Sequence, residues 1–207
     1  MLETPNRDRI AERREATRQE ILAAAWALAA ERGLAQLTLR EVANRVGMRA
    51  PSLYTHFESK NAIYDAMFAD AWTQFLAVAE ANEKAADEAS LGARAVLREA
   101  AHTFFDFAVA DLARYQLMNQ RTIPGFEPSP EAYAPAVQSL ERFRARLVRF
   151  GVTKEEDVDL CSSLLAGLAD QQLANDPGGN RWGRLVDRTV DMLADNLGLP
   201  PEPEEKS

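Results

Sequence analysis

Apolar positions along this chain recur with the period of a helix and not with that of a strand. Residues 17–32 place Ile21, Leu22, Ala25, Leu28 and Ala29 at offsets 0, 1, 4, 7 and 8, the spacing of one face of an amphipathic α-helix. Thr17 and Glu20 have capping-box spacing at its start, and the charged run before them leaves an earlier start open. Gly33 predicts its end, since glycine takes the left-handed conformation that closes many helices. A second helix is predicted from Thr38, with Glu41 completing a capping box. Its apolar face is Leu39, Val42, Ala43 and Val46, and Gly47 stops it. Pro51 suits the first turn of a third, short helix, where its missing N–H is no loss. Ser59 can cap a fourth helix running through Ile63, Met67 and Ala71 past Phe75.

The rest of the chain reads as longer helices with two interruptions. Residues 91–119 form one helix or two, with Leu97, Phe104, Phe105, Val109 and Leu112 directed inward. Ile123–Pro130 must be a loop before a helix starting near Ser129. A further helix ends at Phe150 and Gly151, and Thr153 with Glu156 spaces another capping box. Asn175–Asn180 breaks two amphipathic helices, and so short a link makes them antiparallel neighbours. The last residues, PPEPEEKS, predict a disordered tail over 200–207.

Composition narrows the class. Of 207 residues 46% are hydrophobic, enough for a real core. The single cysteine, Cys161, excludes an internal disulfide framework and fits a reducing cytoplasm. The N-terminus carries no apolar signal core, and no stretch approaches a membrane span. A net charge of −8 argues against a nucleic-acid partner until its distribution is considered. Residues 1–60 hold ten Lys and Arg against eight Asp and Glu, whereas residues 61–207 hold fourteen against twenty-four. Any surface for a polyanion therefore belongs at the N-terminal end.

The informative stretch is Thr38–Lys60, TLREVANRVGMRAPSLYTHFESK. A helix-turn-helix needs a small residue where its helices cross, a glycine in the turn and a branched apolar residue locking the second helix. Ala43, Gly47 and Leu53 stand at relative positions 5, 9 and 15 of a unit starting at Leu39. Such spacing also occurs in ordinary helix pairs. The residues themselves are more specific. The run from Thr17 to about Trp72 resembles the DNA-binding domain of the TetR family of regulators, through Ile21-Leu22-Ala-Ala-Ala, Arg32-Gly33, Leu37-Thr38-Leu39-Arg40-Glu41-Val42-Ala43, Val46-Gly47, Ser52-Leu53-Tyr54-Thr55-His56-Phe57 and Ser59-Lys60.

The resemblance implies an all-α chain in two parts: a three-helix DNA-binding domain over 15–75, with the helix-turn-helix proper at 38–57, and a larger helical bundle over 76–199 for dimerisation and effector binding. It also implies roles. Arg40 would contact phosphate or a base edge, and Arg49, Ala50, Pro51 and Ser52 would lead the recognition helix into the groove. An arginine there can bind guanine O6 and N7, while Ala50 and Pro51 can touch only a thymine methyl. Tyr54, His56 and Lys60 would position the module on phosphates, and Thr38 and Thr55 complete the set. The arginines at 7, 9, 13, 14 and 18 could form a basic arm on flanking phosphates or simply a solvated helix face, interleaved as they are with Asp8, Glu12, Glu15 and Glu20.

In the larger part, Cys161, Leu164, Leu165 and Leu168, with Val158, form one stripe and Leu185, Val186, Thr189 and Leu193 another. Paired across a two-fold axis they would make the four-helix dimer interface the family uses; alternatively they face their own subunit's core. The resemblance also implies an effector cavity, with Trp72, Phe75, Phe105 and Phe126 as lining and His102, Gln116 and Arg121 as polar contacts; Phe104, Phe107, Tyr115 and Tyr133 are further aromatics there, and the alternative is that all are plain core. Two histidines and one cysteine without ligand spacing give no metal site. With no phosphate loop, nucleophile elbow or paired carboxylates, the chain is expected not to be an enzyme and to need no cofactor. The expected function is a cytoplasmic homodimeric repressor, bound to a palindromic double-stranded operator and released by a small-molecule effector. A ligand-independent or protein-controlled DNA-binding protein is the alternative.

Overall fold

The computed structural model describes residues 5–201. The predicted tail lies outside the described residues from 202 onward. Nine α-helices make up most of the described chain, and no strand occurs among the described residues. They are α1 (Pro5–Arg32), α2 (Leu39–Arg45), α3 (Ala50–Leu53), α4 (Lys60–Glu88), α5 (Ala93–Ala110), α6 (Leu112–Asn119), α7 (Pro130–Val148), α8 (Glu155–Asn175) and α9 (Val186–Asn196), with 3-10 turns at Leu34–Gln36 and Gly183–Leu185.

Helix α1 takes the earlier of the two starts the sequence left open. Thr17 lies inside it and donates its hydroxyl back to the Arg13 carbonyl at 2.9 Å, so its capping-box spacing marks no boundary. The stretch 91–119 is two helices, because Asp111 is extended (φ −148, ψ 106) between α5 and α6. Ser129 does start α7, accepting the Ala132 N–H at 3.1 Å. Thr153 does not cap α8. Lys154 occupies that position with no side-chain bond, and the acids Glu155, Glu156 and Asp157 fill the first turn, where the helix dipole favours them.

The described chain separates into two compact units, and a single cut near residue 75 does not reproduce them. The first holds the residues up to Ala71 together with Ala113–Tyr133. Ile21, Ala25, Val42, Ala43, Leu53, Ile63 and Met67, all fully buried, form its centre. Its polar ties are specific. The Tyr64 hydroxyl donates to the Leu34 carbonyl at 2.5 Å, and the Trp26 indole N–H to Asp70 at 2.9 Å. The Asp65 carboxylate takes both the backbone N–H and the hydroxyl of Ser129, each at 2.7 Å, anchoring the loop that precedes α7.

The second unit holds Trp72–Leu112 and the chain from Ala134 onward. Here α5 packs closely on α8 and α9, burying Leu97 and Phe105 with Cys161, Leu165, Val186, Val190 and Leu193. Burial pushes the Cys161 thiol up to about 11, which makes it a small apolar residue in practice. Outside this core a ladder of polar contacts joins α5 to α9: Arg94 to Asp195 at 2.5 Å, Arg98 to Asp191 at 2.9 Å, and His102 to Asp187 at 2.8 Å. The link after α8 is built on Gln172, only 2% exposed. Its Oε1 accepts the Trp182 N–H at 2.9 Å, while Asp176 accepts that of Arg181 at 2.9 Å. The Arg181 N–H and then the Gln172 side chain hold the Asp176 carboxyl below its usual range. No helix among the described residues is long and apolar enough to cross a membrane.

Candidate nucleic-acid interface

The site is built on α2 and α3. Thr38 caps α2: its hydroxyl accepts the Glu41 N–H at 3.3 Å and donates to the Glu41 carboxylate at 2.7 Å. That hydrogen bond first, and the neighbouring Arg32 cation after it, lower the Glu41 carboxyl from its usual range. Gly47 closes the helix with φ +69, and the next N–H, that of Met48, reaches back to the Ala43 carbonyl at 2.8 Å. This Schellman-type ending turns the chain sharply and requires a residue that accepts the left-handed region. Arg49 is the N-cap of α3, and Pro51 lies in its first turn. Ala43 and Leu53 are both wholly buried, and α2 and α3 pack on each other.

With Leu53 and Phe57 turned inward, the opposite side of α3 is left to solvent. Arg49, Pro51, Ser52, Tyr54 and Thr55 are exposed, Tyr54 by 53%, and Ala50 is half-buried. Arg40, on α2, is exposed as well. Among the described residues, neither Arg40 nor Arg49 is in an ion pair, whereas Arg32 and Arg45 are tied to Glu41 and Glu31. The two uncommitted cations are therefore both open to solvent. Thr55 turns its hydroxyl back to the Ser52 carbonyl at 2.7 Å.

Three expected contacts have intramolecular work. Thr38 serves the cap just described. Lys60 donates to the Ala35 carbonyl at 3.1 Å, with its ammonium 5.3 Å from the Tyr64 ring centre. His56 is half-buried, its Nδ1 enclosed without a hydrogen-bond partner, and its carbonyl is taken by Arg18. The basic arm also divides. Arg18 donates to the His56 carbonyl at 2.5 Å and lies 4.2 Å over the Phe57 ring, and Arg14 donates to the Thr55 carbonyl at 3.3 Å. Both tie α1 to the turn that follows α3. Their spacing, eight and four residues before Leu22, puts them on that side of α1, but nothing in the sequence identifies the carbonyls they meet. The side chain of Arg7 lies outside the described residues.

The other expected sites are distributed as follows. On α8 and α9, Cys161, Leu165, Val186 and Leu193 are buried within the chain's own core and are not available to a partner. Leu164 is 40% exposed, and Leu168, Leu185 and Thr189 are half-buried. The sequence reading missed Leu160 and Met192, exposed by 39% and 61%. Of the effector set, Gln116, Arg121 and Phe126 belong to the first unit and Trp72, Phe75, His102 and Phe105 to the second. Arg121 is exposed, 3.6 Å from Glu127, and Phe126 packs against Tyr64 with ring centres 5.6 Å apart. Among the described residues no cluster of three His, Cys, Asp or Glu could hold a metal ion.

Comparison with known proteins places this geometry. Residues 21–67 match the family model of bacterial regulatory proteins, tetR family. The HTH-type transcriptional repressor KstR2 of Mycobacterium tuberculosis is 43% identical over 58 residues, 28% of this chain; the match spans 29% of the length of that relative. Among solved structures, a protein of unknown function from Rhodococcus sp. RHA1 superposes with a TM-score of 0.70 at 22% identity, over 89% of this chain and 95% of that one. FadR from Bacillus subtilis, in complex with stearoyl-CoA, gives 0.61 at 17% identity, over 84% and 96%. The N-terminal module thus resembles the tetR family over residues 21–67, and the likeness of fold extends over nearly the whole chain.

Proposed function

We propose that this chain is a transcriptional repressor that binds a palindromic operator as a homodimer and leaves it when a small-molecule effector binds. The observation that carries the reading is the outward side of α3. Arg49, Ser52 and Tyr54 are presented on a helix whose inner residues, Leu53 and Phe57, are almost wholly buried. Arg40 and Arg49 add positive charge with no anion of the chain beside them. Arginine reads guanine in the major groove through two hydrogen bonds, and flanking hydroxyls and cations fix the register on phosphates.

Four residues of α3 reach too few base pairs to specify an operator, so two copies are needed, on half-sites about one or more helical turns apart. Leu160, Leu164 and Met192 supply the outward apolar surface for pairing α8 and α9 with those of a second subunit. Effector control follows thermodynamically from two states of different half-site spacing: a ligand that prefers the non-binding state lowers operator affinity by its differential affinity.

The test is selection of bound sequences from a random duplex library, with Tyr54→Ala as the control. An enriched palindrome that the variant fails to enrich supports the reading. A folded protein that enriches nothing removes it.

A further inference from the structure

We propose that the second unit holds a site for an amphipathic carboxylate, its acid head on Arg142 and Arg146 of α7 and its apolar body along Phe75, Phe104 and Phe107. This rests on the reading that the body of the protein binds an effector and names the chemistry of that effector.

Close backbone approach in this unit joins α5 to α8 and α9. Helix α7 buries Ala136 and Leu147 and also reaches its neighbours through long arginine side chains. Arg142 reaches Glu80 at 3.2 Å and Glu83 at 2.7 Å on α4, and Arg146 reaches Glu99 on α5 at 2.6 Å. The Arg146–Glu99 pair is internal, with side chains 8% and 18% exposed. Burying two charges incurs a desolvation penalty that their attraction only partly offsets, and an apolar pair of similar volume usually stabilises as well or better. The Arg146–Glu99 pair is therefore weak evidence of stabilisation on its own.

The unmet groups give the sign of the ligand. The Nε–H donors of Arg142 and Arg146, one helical turn apart, are both buried with no acceptor. The carboxylate of Glu99, by contrast, is well served: it accepts from Arg146 and, at 2.8 Å, from Thr103, which in turn accepts from Asn82 at 2.8 Å. Donors without acceptors ask for a ligand oxygen. Arg142 already carries Glu80 and Glu83 and Arg146 carries Glu99, so a ligand's acid would take the place of one of these carboxylates on a planar fork that suits it. In this arrangement Glu99 occupies one arm of Arg146 as an internal stand-in for the ligand's acid.

The apolar part lies on the same two helices. Phe75 of α4 meets Phe104 and Phe107 of α5 edge-on, with ring centres 6.1 and 5.3 Å away, and all three are half-buried. From Phe75 to Asn82 is seven residues, roughly 10 Å along α4 at 1.5 Å per residue. A molecule with an acid at one end and a hydrocarbon or aromatic body about that long matches both ends.

The experiment is calorimetric titration of the full chain, free of DNA, with octanoate, decanoate and dodecanoate, each against the alcohol of equal length. At least one acid is expected to bind about tenfold or more tightly than its alcohol. Arg146→Lys, which keeps the charge but removes the Nε donor and the fork, is expected to erase that preference. Because a lone buried charge can unfold the chain, the paired variant Arg146→Met with Glu99→Met serves as the second arm and should likewise bind acid and alcohol equally. Acids that fail to bind, acids that bind no better than alcohols, or an unchanged preference in a folded Arg146→Lys protein would overturn the proposal. Operator binding is read on the same preparation without ligand. Its loss would count against the regulator while leaving the titration result standing.

Discussion

Arg18 of α1 donates to the carbonyl of His56 at 2.5 Å while its guanidinium covers the Phe57 ring at 4.2 Å. One side chain thus holds the turn after the recognition helix and seals the apolar residue behind it. A helix of four residues is far below the length that is stable alone. Its orientation is imposed by Leu53 from inside, by the turn at Gly47 before it, and by Arg18 and Arg14 after it.

Arg18→Ala is expected to lower stability by about 1–2 kcal/mol, the range for a charge-assisted hydrogen bond with partial exposure. Operator affinity should fall for all sequences while their order of preference stays the same. Thermal denaturation and a ranked set of duplexes check both. A changed order would make Arg18 a reader of bases.

Arg49→Ala should act oppositely. Arg49 has no ion pair among the described residues and stands at the start of α3, so its loss should leave the melting temperature unchanged. Selectivity at one base position should relax by about 1–3 kcal/mol. A repeated binding-site selection showing the original consensus would remove Arg49 from the readout.

Arg40, expected on a phosphate or a base edge, and Lys60, expected on a phosphate, are separated by their environments. Arg40 is exposed without an anion, and Arg40→Ala should reduce the slope of log affinity against log salt by about one unit. Lys60 is bound to the Ala35 carbonyl. Lys60→Ala should therefore lower thermal stability and change the slope little. A salt titration of both variants decides it.

Leu164 and Leu160 stand outward on α8, and a carboxylate between two apolar faces would be buried without a partner. Leu164→Glu is expected to convert a dimer to a folded monomer by light scattering. Leu165→Glu, one position further, should instead unfold the chain, since Leu165 is only 5% exposed within it. A dimeric Leu164→Glu protein would place the interface elsewhere.

The Asp176 carboxyl is lowered from its ordinary 3.8 by the Arg181 N–H and the Gln172 side chain. A lowered carboxyl contributes stability that is full above the ordinary value and is lost as pH falls through the lowered one. Asp176→Asn should thus be less stable than the parent chain at pH 7, and the difference should shrink below about pH 4. Unfolding curves at pH 7 and pH 3 with a constant difference would show that the charge is irrelevant to the link.

The helix-turn-helix was legible because its signals are local. A threonine with a glutamate three residues on, a glycine after the helix and a proline in the next first turn each act through nearby backbone, and each is found in that role. Long-range events were less visible. Arg14, Arg18 and Lys60 read as surface cations, since nothing in their neighbours reveals the carbonyls of Thr55, His56 and Ala35 that they meet. On α8 the difficulty is periodicity itself. Val158, Cys161, Leu165 and Ala169 form an inner face while Leu160, Leu164 and Leu168 follow a second one, so an apolar stripe could be drawn through members of both. Thr17 and Thr153 show the converse error, with capping-box spacing where no helix starts on them.

The ladder between α5 and α9 repeats every four residues on both helices, Arg94, Arg98 and His102 against Asp195, Asp191 and Asp187. Equal spacing makes it degenerate. If α9 slid by one helical turn, two of the three rungs could re-form with neighbouring partners. The ladder therefore opposes separation of the two helices without selecting one register along them. The choice among registers falls to the unequal shapes of Val186, Val190 and Leu193 in the core beneath. Such a joint works as a rail with detents: it keeps α9 captive on α5 while leaving the detent, a matter of packing, as the thing that must give for the helix to advance.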